Sequence, residues 1–188
     1  MNKQRCAWAT NNSQLIAYHD EDWGVPVKDD RLLFEMLNLE GAQAGLSWLT
    51  ILQRRENYKS AFCNFEANKI TKLSDEYLNS LLANPGIIRN RLKINAVVEN
   101  ARAFLLVKKD FSSFSEYIWS FADRHLTVDD AAEAIFISQK LSRDLKKRGF
   151  KFIGPTICLS FMQSVGIIND HEKHCFRYSE IEDLNSSL

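Results

Sequence analysis

From Asp29 onward, apolar residues recur at intervals of three and four. Leu33, Met36/Leu37 and Ala44 form one stripe, which predicts a helix capped by Asp29 or Asp30 and ended by Gly45. Ser47 is placed to cap a second helix through Trp48, Ile51, Leu52 and Arg55. Ser74-Asp75-Glu76 opens a third over 77–82, which stops at Asn84-Pro85-Gly86. A longer stripe of Ile94, Val97/Val98, Ala101 and Leu105 predicts a helix over 89–107, and a short one follows over 114–121. Ser138 caps a segment over 139–148 that ends at Gly149, and Pro155 suits the first turn of a helix ending at Gly166. No two segments alternate with the period of paired strands, and there is no internal repeat or low-complexity linker. Residues 123–137 read as a loop with one turn of helix. The expected fold class is all-α, with residues 1–188 forming one domain.

Composition narrows this little. Of 188 residues, 45 % are hydrophobic and 26 % charged, as in an ordinary globular chain with one well-buried core. No apolar run reaches the roughly 18 residues of a membrane span, and the start, Met1 to Trp8, lacks a signal peptide's apolar stretch. A cytoplasmic protein, monomeric and away from the membrane, is expected. In that compartment Cys6, Cys63, Cys158 and Cys175 read as thiols or metal ligands rather than disulfides. A net charge of zero argues against nonspecific coating of nucleic acid, which scales with the phosphates neutralised. The basic residues are nevertheless clustered, at Arg89, Arg91 and Lys93 and again at Lys140, Arg143, Lys146, Lys147, Arg148 and Lys151. Clusters of this kind suit a polyanionic partner, and solvated helix faces produce them too.

One carboxylate stands out. Glu40 falls on the apolar stripe of the first helix, seven residues after Leu33 and four before Ala44. An ionised carboxylate facing a core is costly unless paired or hydrogen-bonded. The neighbouring Gly41-Ala42-Gln43-Ala44-Gly45 is nearly stripped of bulk, so another backbone or a flat ligand can come close, and Trp48 follows. A carboxylate, bare backbone and an indole describe a pocket for a flat cationic ring. A glutamate at a helix end, exposed or bonded to an amide, accounts for the periodicity equally well.

A second constellation is split between the ends of the chain. His171 and Cys175 lie one helical turn apart, a spacing that suits Zn²⁺. Cys6 and His19 are the natural candidates for two more ligands, since Cys63 and Cys158 sit in or beside helical apolar patterns and His125 has no thiol neighbour. Two unrelated Cys/His pairs give the same spacing, and His174 competes with His171. A complete site has four protein ligands and no open position, so its metal is structural. It clasps 1–26 to 166–188 around a core of about 27–165, a closure worth roughly 4–5 kcal/mol.

Residues 82–94 read helix, tight turn, helix. Amides at the turn around Gly86 and Ile87, with Arg89, Arg91 and Lys93 nearby, can hold a phosphate. A plain Pro-Gly connection between helices fits the same residues.

Four phrases in one order carry a family resemblance. They are Tyr18-His19-Asp20-Glu21-Asp22-Trp23-Gly24-Val25-Pro26; Leu39-Glu40-Gly41-Ala42-Gln43-Ala44-Gly45-Leu46-Ser47-Trp48; Pro85-Gly86-Ile87-Ile88-Arg89-Asn90-Arg91-Leu92-Lys93-Ile94; and Lys146-Lys147-Arg148-Gly149-Phe150-Lys151-Phe152-Ile153-Gly154-Pro155-Thr156, continued by Asn169-Asp170-His171 and Cys175. Together they resemble the bacterial 3-methyladenine DNA glycosylase I family, of the helix–hairpin–helix superfamily, over about residues 6–175. The resemblance implies a helical glycosylase with a zinc clasp at Cys6, His19, His171 and Cys175. It implies a base-recognising Glu40, a stacking Trp48, a pocket Tyr18, further pocket aromatics Trp8 and Trp23, and DNA contacts at Gly86, Ile87, Arg89, Arg91 and Lys93. The implied partner is alkylated double-stranded DNA, and the implied product is free 3-methyladenine.

Two departures accompany it. A pocket tyrosine of some members is Leu15 here, and residues 123–137 do not follow the longer version of that segment. An adenine methylated at N3 is cationic and leaves readily, so the implied task is selection, by flipping the base and holding it between carboxylate and indole. The expected reaction is dissociative, with an oxocarbenium-like sugar. No residue is matched to a general base and no lysine to an imine-forming nucleophile, so excision without strand cleavage is expected.

Overall fold

The computed structural model describes residues 3–9 and 11–186; the outermost positions of the single-domain assignment, 1, 2, 187 and 188, lie outside the described residues. Among the described residues there are eleven α-helices and one very short parallel strand pair. The helices are α1 (Ser13–Glu21), α2 (Asp30–Gln43), α3 (Trp48–Leu52), α4 (Arg55–Ala61), α5 (Ala67–Ile70) and α6 (Asp75–Ser80). They continue with α7 (Arg91–Asp110), α8 (Phe114–Trp119), α9 (Ala131–Lys147), α10 (Pro155–Ser164) and α11 (Phe176–Ser186).

The local signals set most of the boundaries. Asp29 caps α2 by accepting from the Leu32 amide at 2.8 Å, and Ser47 caps α3 by accepting from the Thr50 amide at 3.2 Å. The second helix is shorter than expected: α3 stops at Leu52 and Arg55 begins α4. α7 starts at Arg91, capped by Asn90, and at its far end the buried positions are Phe104 and Val107, with Leu105 only half-buried.

Two expectations are corrected. Residues 123–137 are mostly ordered: Leu126–Thr127 (β1) pairs in parallel with Ile168–Asn169 (β2), and α9 already runs from Ala131. Ser138 therefore lies inside α9, its hydroxyl donating to the Ile135 carbonyl at 2.8 Å. The helix entry is instead organised by a capping box of Thr127 and Asp130. His171 and Cys175 also do not lie on a helix; they flank a turn closed by Cys175 N–H to Glu172 C=O at 2.7 Å, and α11 starts only at Phe176.

α2 runs through the middle, packed by α3, α7, α8 and α10, and Leu33 to Ala42 are all buried. An aromatic row of Phe34, Phe104, Phe114 and Phe150, with successive centroids 4.9, 4.8 and 6.0 Å apart, fills one side. A helix buried all round must carry its polar residues with partners. Glu35 meets Arg55 at 2.6 Å, and Asn38 accepts from Asn100 at 2.9 Å. Asn100 in turn accepts from the Lys151 amide at 2.7 Å, which anchors the segment between α9 and α10. Gly41 matters here, because a Cβ on it would come within 3.0 Å of the Phe152 carbonyl. The small residues after Glu40 thus admit, at Gly41, a neighbouring backbone.

Candidate base pocket and metal centre

Between α1, α2, α3 and α10 lies a cavity of about 370 Å³, the size of a small-molecule site. Trp8, Leu15, Tyr18, Trp23, Glu40 and Trp48 line it, with Gln43, Ser47, Leu49, Ser160 and Gln163 completing the wall. The structure thus gathers all five residues singled out for base binding, together with Leu15. α2 delivers Glu40, and the turn at Gly45 followed by the Ser47 cap brings Trp48 back against it. α1 presents Tyr18, whose carbonyl takes both the Asp22 and Trp23 amides at 3.0 and 2.8 Å and so places Trp23. The rings interlock: Tyr18 to Trp48 at 5.3 Å, Trp8 to Trp23 at 5.0 Å edge-on, and Trp8 to Tyr18 at 6.4 Å. Trp8 is the most open of them, at 40 % exposed.

Glu40 is 3 % exposed, and its Oε2 has no hydrogen-bond partner among the described residues. Burial pushes its carboxyl up to about 8, opposed only by the Ser164 hydroxyl. Trp48 Nε1 is likewise buried and without an acceptor. A buried acceptor and a buried donor without partners, on neighbouring elements, are costly and demand a reason. Burial, and then the charge of Glu40, hold the Tyr18 phenol well above its usual range, so it remains a neutral hydroxyl.

Behind Tyr18 an ion cluster that the sequence reading missed supports the pocket. Arg55 bridges the fully buried Glu35 at 2.6 Å and Asp22, the C-cap of α1, at 2.8 Å. Nothing local in the sequence marks it, because Glu35 falls opposite the apolar stripe of Leu33, Met36/Leu37 and Ala44. Gln163 was also missed; its amide donates to Asp170 at 2.8 Å.

The metal candidates converge. Cys6, His19, His171 and Cys175 are all buried, and their ligand atoms lie within 4.8 Å of one another. Cys6 Sγ is 3.6 Å and Cys175 Sγ 3.7 Å from His171 Nδ1, and Cys175 Sγ is 3.4 Å from His19 Nε2. A tetrahedron with Zn–S of about 2.3 Å and Zn–N of about 2.0–2.1 Å has edges of roughly 3.3–3.8 Å. The opposite ring nitrogens are also engaged, His19 Nδ1 with Asp20 at 2.8 Å and His171 Nε2 with the Trp23 carbonyl at 3.1 Å. That outer shell fixes the rings as metal-ligating histidines require. The donor set fits a divalent ion of zinc's type. His174 points elsewhere, pairing with Glu172 at 3.0 Å on the surface.

The residues expected at the hairpin divide. A Cβ on Gly86 would come within 2.8 Å of the Asn57 side chain, which would have to shift to make room. Its amide is taken by Asn84 and that of Ile88 by the Tyr58 hydroxyl, whereas the amides of Ile87 and Arg89 have no acceptor among the described residues. The Ile87 side chain is buried, Arg89 is exposed, and Arg91 donates to Asn79. Lys93, expected beside a phosphate, turns inward and donates to the Ala42 and Ala44 carbonyls at 2.9 and 2.7 Å.

Comparison with known proteins shows which family the chain belongs to. The model of the methyladenine glycosylase family matches residues 8–178. DNA-3-methyladenine glycosylase 1 of Escherichia coli (strain K12) is 44 % identical over 181 residues, 93 % of this chain and 97 % of that one. The DNA-3-methyladenine glycosylase of Haemophilus influenzae is 44 % identical over 177 residues, 91 % of this chain and 96 % of its own. Among solved structures, a 3-methyladenine DNA glycosylase I superposes with a TM-score of 0.87 at 47 % identity, covering 92 % of this chain and 98 % of that one. The Staphylococcus aureus enzyme, from a study of the structural basis of 3-methyladenine recognition, gives 0.84 at 35 % identity, covering 92 % and 95 %. With the match spanning nearly the whole chain and the pocket, the chain belongs to the methyladenine glycosylase family.

Proposed function

We propose that the protein is a monofunctional DNA-3-methyladenine glycosylase of base-excision repair, hydrolysing the N-glycosidic bond of the cationic base in alkylated duplex DNA. The observation that carries this is the buried Glu40 carboxyl, with Oε2 left without a partner among the described residues, beside Trp48 in an aromatic recess. Burial keeps that carboxyl protonated near neutral pH, because the Ser164 hydroxyl offsets only part of the cost of an anion there. A purine cation supplies the missing charge and favours the ionised form. The base edge offers donors to Glu40, Trp48 offers a face to the ring, and Tyr18 offers a neutral hydroxyl. Normal adenine is uncharged and gains none of the ionic attraction, so the recess selects by charge.

The base reaches the recess by flipping out of the duplex. Exposed Arg89 and the unpartnered Ile87 and Arg89 amides are suited to a backbone phosphate, with Arg91 beside them. Departure of 3-methyladenine neutralises its own charge, so the chain needs to supply no acid to the base. Water then adds to an oxocarbenium-like sugar. The cavity wall contains no lysine to form an imine, which favours excision without strand cleavage. Cys6, His19, His171 and Cys175 would hold Zn²⁺ with no open position, so a bound ion would crosslink the two ends of the chain rather than supply hydroxide. Held in place by such a site, His19 on α1 and His171, which contacts the Trp23 carbonyl, would fix two sides of the pocket.

Incubation with methylated duplex DNA tests the reading. Free 3-methyladenine should appear while the strand stays intact and borohydride traps no protein–DNA adduct. Tight binding without released base would make the protein a damage binder instead.

A further inference from the structure

Lys93 occupies the first turn of α7, immediately after the hairpin, where the Asn90 side chain caps its amide at 3.1 Å. Its ammonium crosses to α2 and donates to the carbonyls of Ala42 and Ala44. These are among the last carbonyls of α2, which have no partner within the helix and sit at the negative end of its dipole. Ala42 is two residues past Glu40. Ala44 leads through Gly45, Leu46 and Ser47 into Trp48. One side chain therefore ties the element expected to grip DNA to the junction between the two principal pocket residues. No carboxylate pairs with it among the described residues, and burial lowers its pKa. Two of its three protons are already used by protein acceptors, which leaves it poorly placed to neutralise a phosphate.

We infer that Lys93 is a positioning residue that couples the seating of the hairpin on DNA to the alignment of Glu40 and Trp48, and is not a phosphate ligand. The inference rests on the glycosylase reading for its rate measurement and on binding alone for its other half. A phosphate ligand contributes about one unit to the slope of log K against log salt, and mainly sets affinity. A positioning residue leaves that slope alone and lowers the rate of the bound complex, since misplacement of about 1 Å can cost on the order of a hundredfold.

The experiment measures binding to duplex DNA carrying an uncleavable abasic-site analogue from low to moderate salt. Alongside it, single-turnover release of 3-methyladenine is followed at saturating enzyme. Lys93→Met should keep the wild-type salt slope and lose ten- to a hundredfold in the saturating rate, whereas Arg89→Ala should lower the slope by about one. A Lys93→Met slope lower by one, with the saturating rate unchanged, overturns the inference. If Lys93→Met does not fold, Lys93→Arg decides. Its charge serves a phosphate equally well, but its planar fork does not reproduce the paired carbonyl contact. A reduced saturating rate supports positioning, and an unchanged rate overturns it. Failure of the wild type to release any base would sink the glycosylase reading instead, while the slope comparison would still judge Lys93.

Discussion

Glu40 should make the protein less stable than it could be, by an amount that depends on pH. Its carboxyl titrates near 4.5 in the unfolded chain and at about 8 in the folded one. Below pH 4.5 it is protonated in both states and costs nothing. Between 4.5 and 8 the folded state holds a proton that the unfolded state has released, so unfolding becomes easier as pH rises. Above 8 the loss is complete. At about 1.4 kcal/mol per unit, the penalty reaches roughly 3 kcal/mol at pH 7 and nearly 5 kcal/mol above pH 8. Glu40→Gln replaces the acid with a neutral group of nearly the same shape. The variant should match the wild type near pH 5 and exceed it by several kcal/mol at pH 9, about 10–15 °C in Tm for a chain of this size. The comparison is made by thermal unfolding of both proteins from pH 5 to 9, so that titrations common to the two cancel. A Tm difference that does not change with pH would refute the claim that burial holds this carboxyl neutral.

Three further outcomes follow from the same contacts. Stripping the metal with a chelator should lower Tm by about 10–15 °C, the equivalent of roughly 4–5 kcal/mol for a closure spanning nearly the chain; metal analysis should find one zinc per chain, and an unchanged Tm would count against the clasp. Trp48→Leu should weaken capture of the cationic base by about 2 kcal/mol, or some thirtyfold, seen as a higher enzyme concentration for half-maximal single-turnover excision. Arg55→Met leaves Glu35 buried beside only the more distant Arg31 and Lys59, at 3.6 and 3.9 Å, and should cost about 3–5 kcal/mol in urea unfolding; a loss below about 1 kcal/mol would show that the cluster contributes little.

The sequence made some of this legible because certain signals are local. Ser47 and Asp29 mark helix starts through a single side chain and an amide three residues on, so they were found. Glu40 was found because it breaks a helical stripe, although α2 proves to be buried on every side and the stripe was narrower than the truth. Ligand chemistry points to the Cys/His set, yet the spacing of His171 and Cys175 suggests a helical turn where the chain makes a non-helical one. What was hidden depends on distant pieces of chain. Arg55 pairs with Glu35 across 20 residues, Asn38 with Asn100 across 62, and Lys93 with Ala42 across 51. No periodicity encodes such partners. The short β1–β2 pairing escaped for the same reason: each strand has two residues, too few to show alternation.

One buried acid in an aromatic recess is proposed to select a positively charged purine. The most direct measurement compares the wild type with Glu40→Gln on methylated duplex DNA under single-turnover conditions, with released bases separated by chromatography. The wild type should free 3-methyladenine and leave unmodified adenine in place, and Glu40→Gln, though folded and more stable, should excise on the order of a hundredfold more slowly, the loss of close to 3 kcal/mol of charge-assisted hydrogen bonding. Equal rates from the two proteins, or release of unmodified adenine by the wild type, would contradict it.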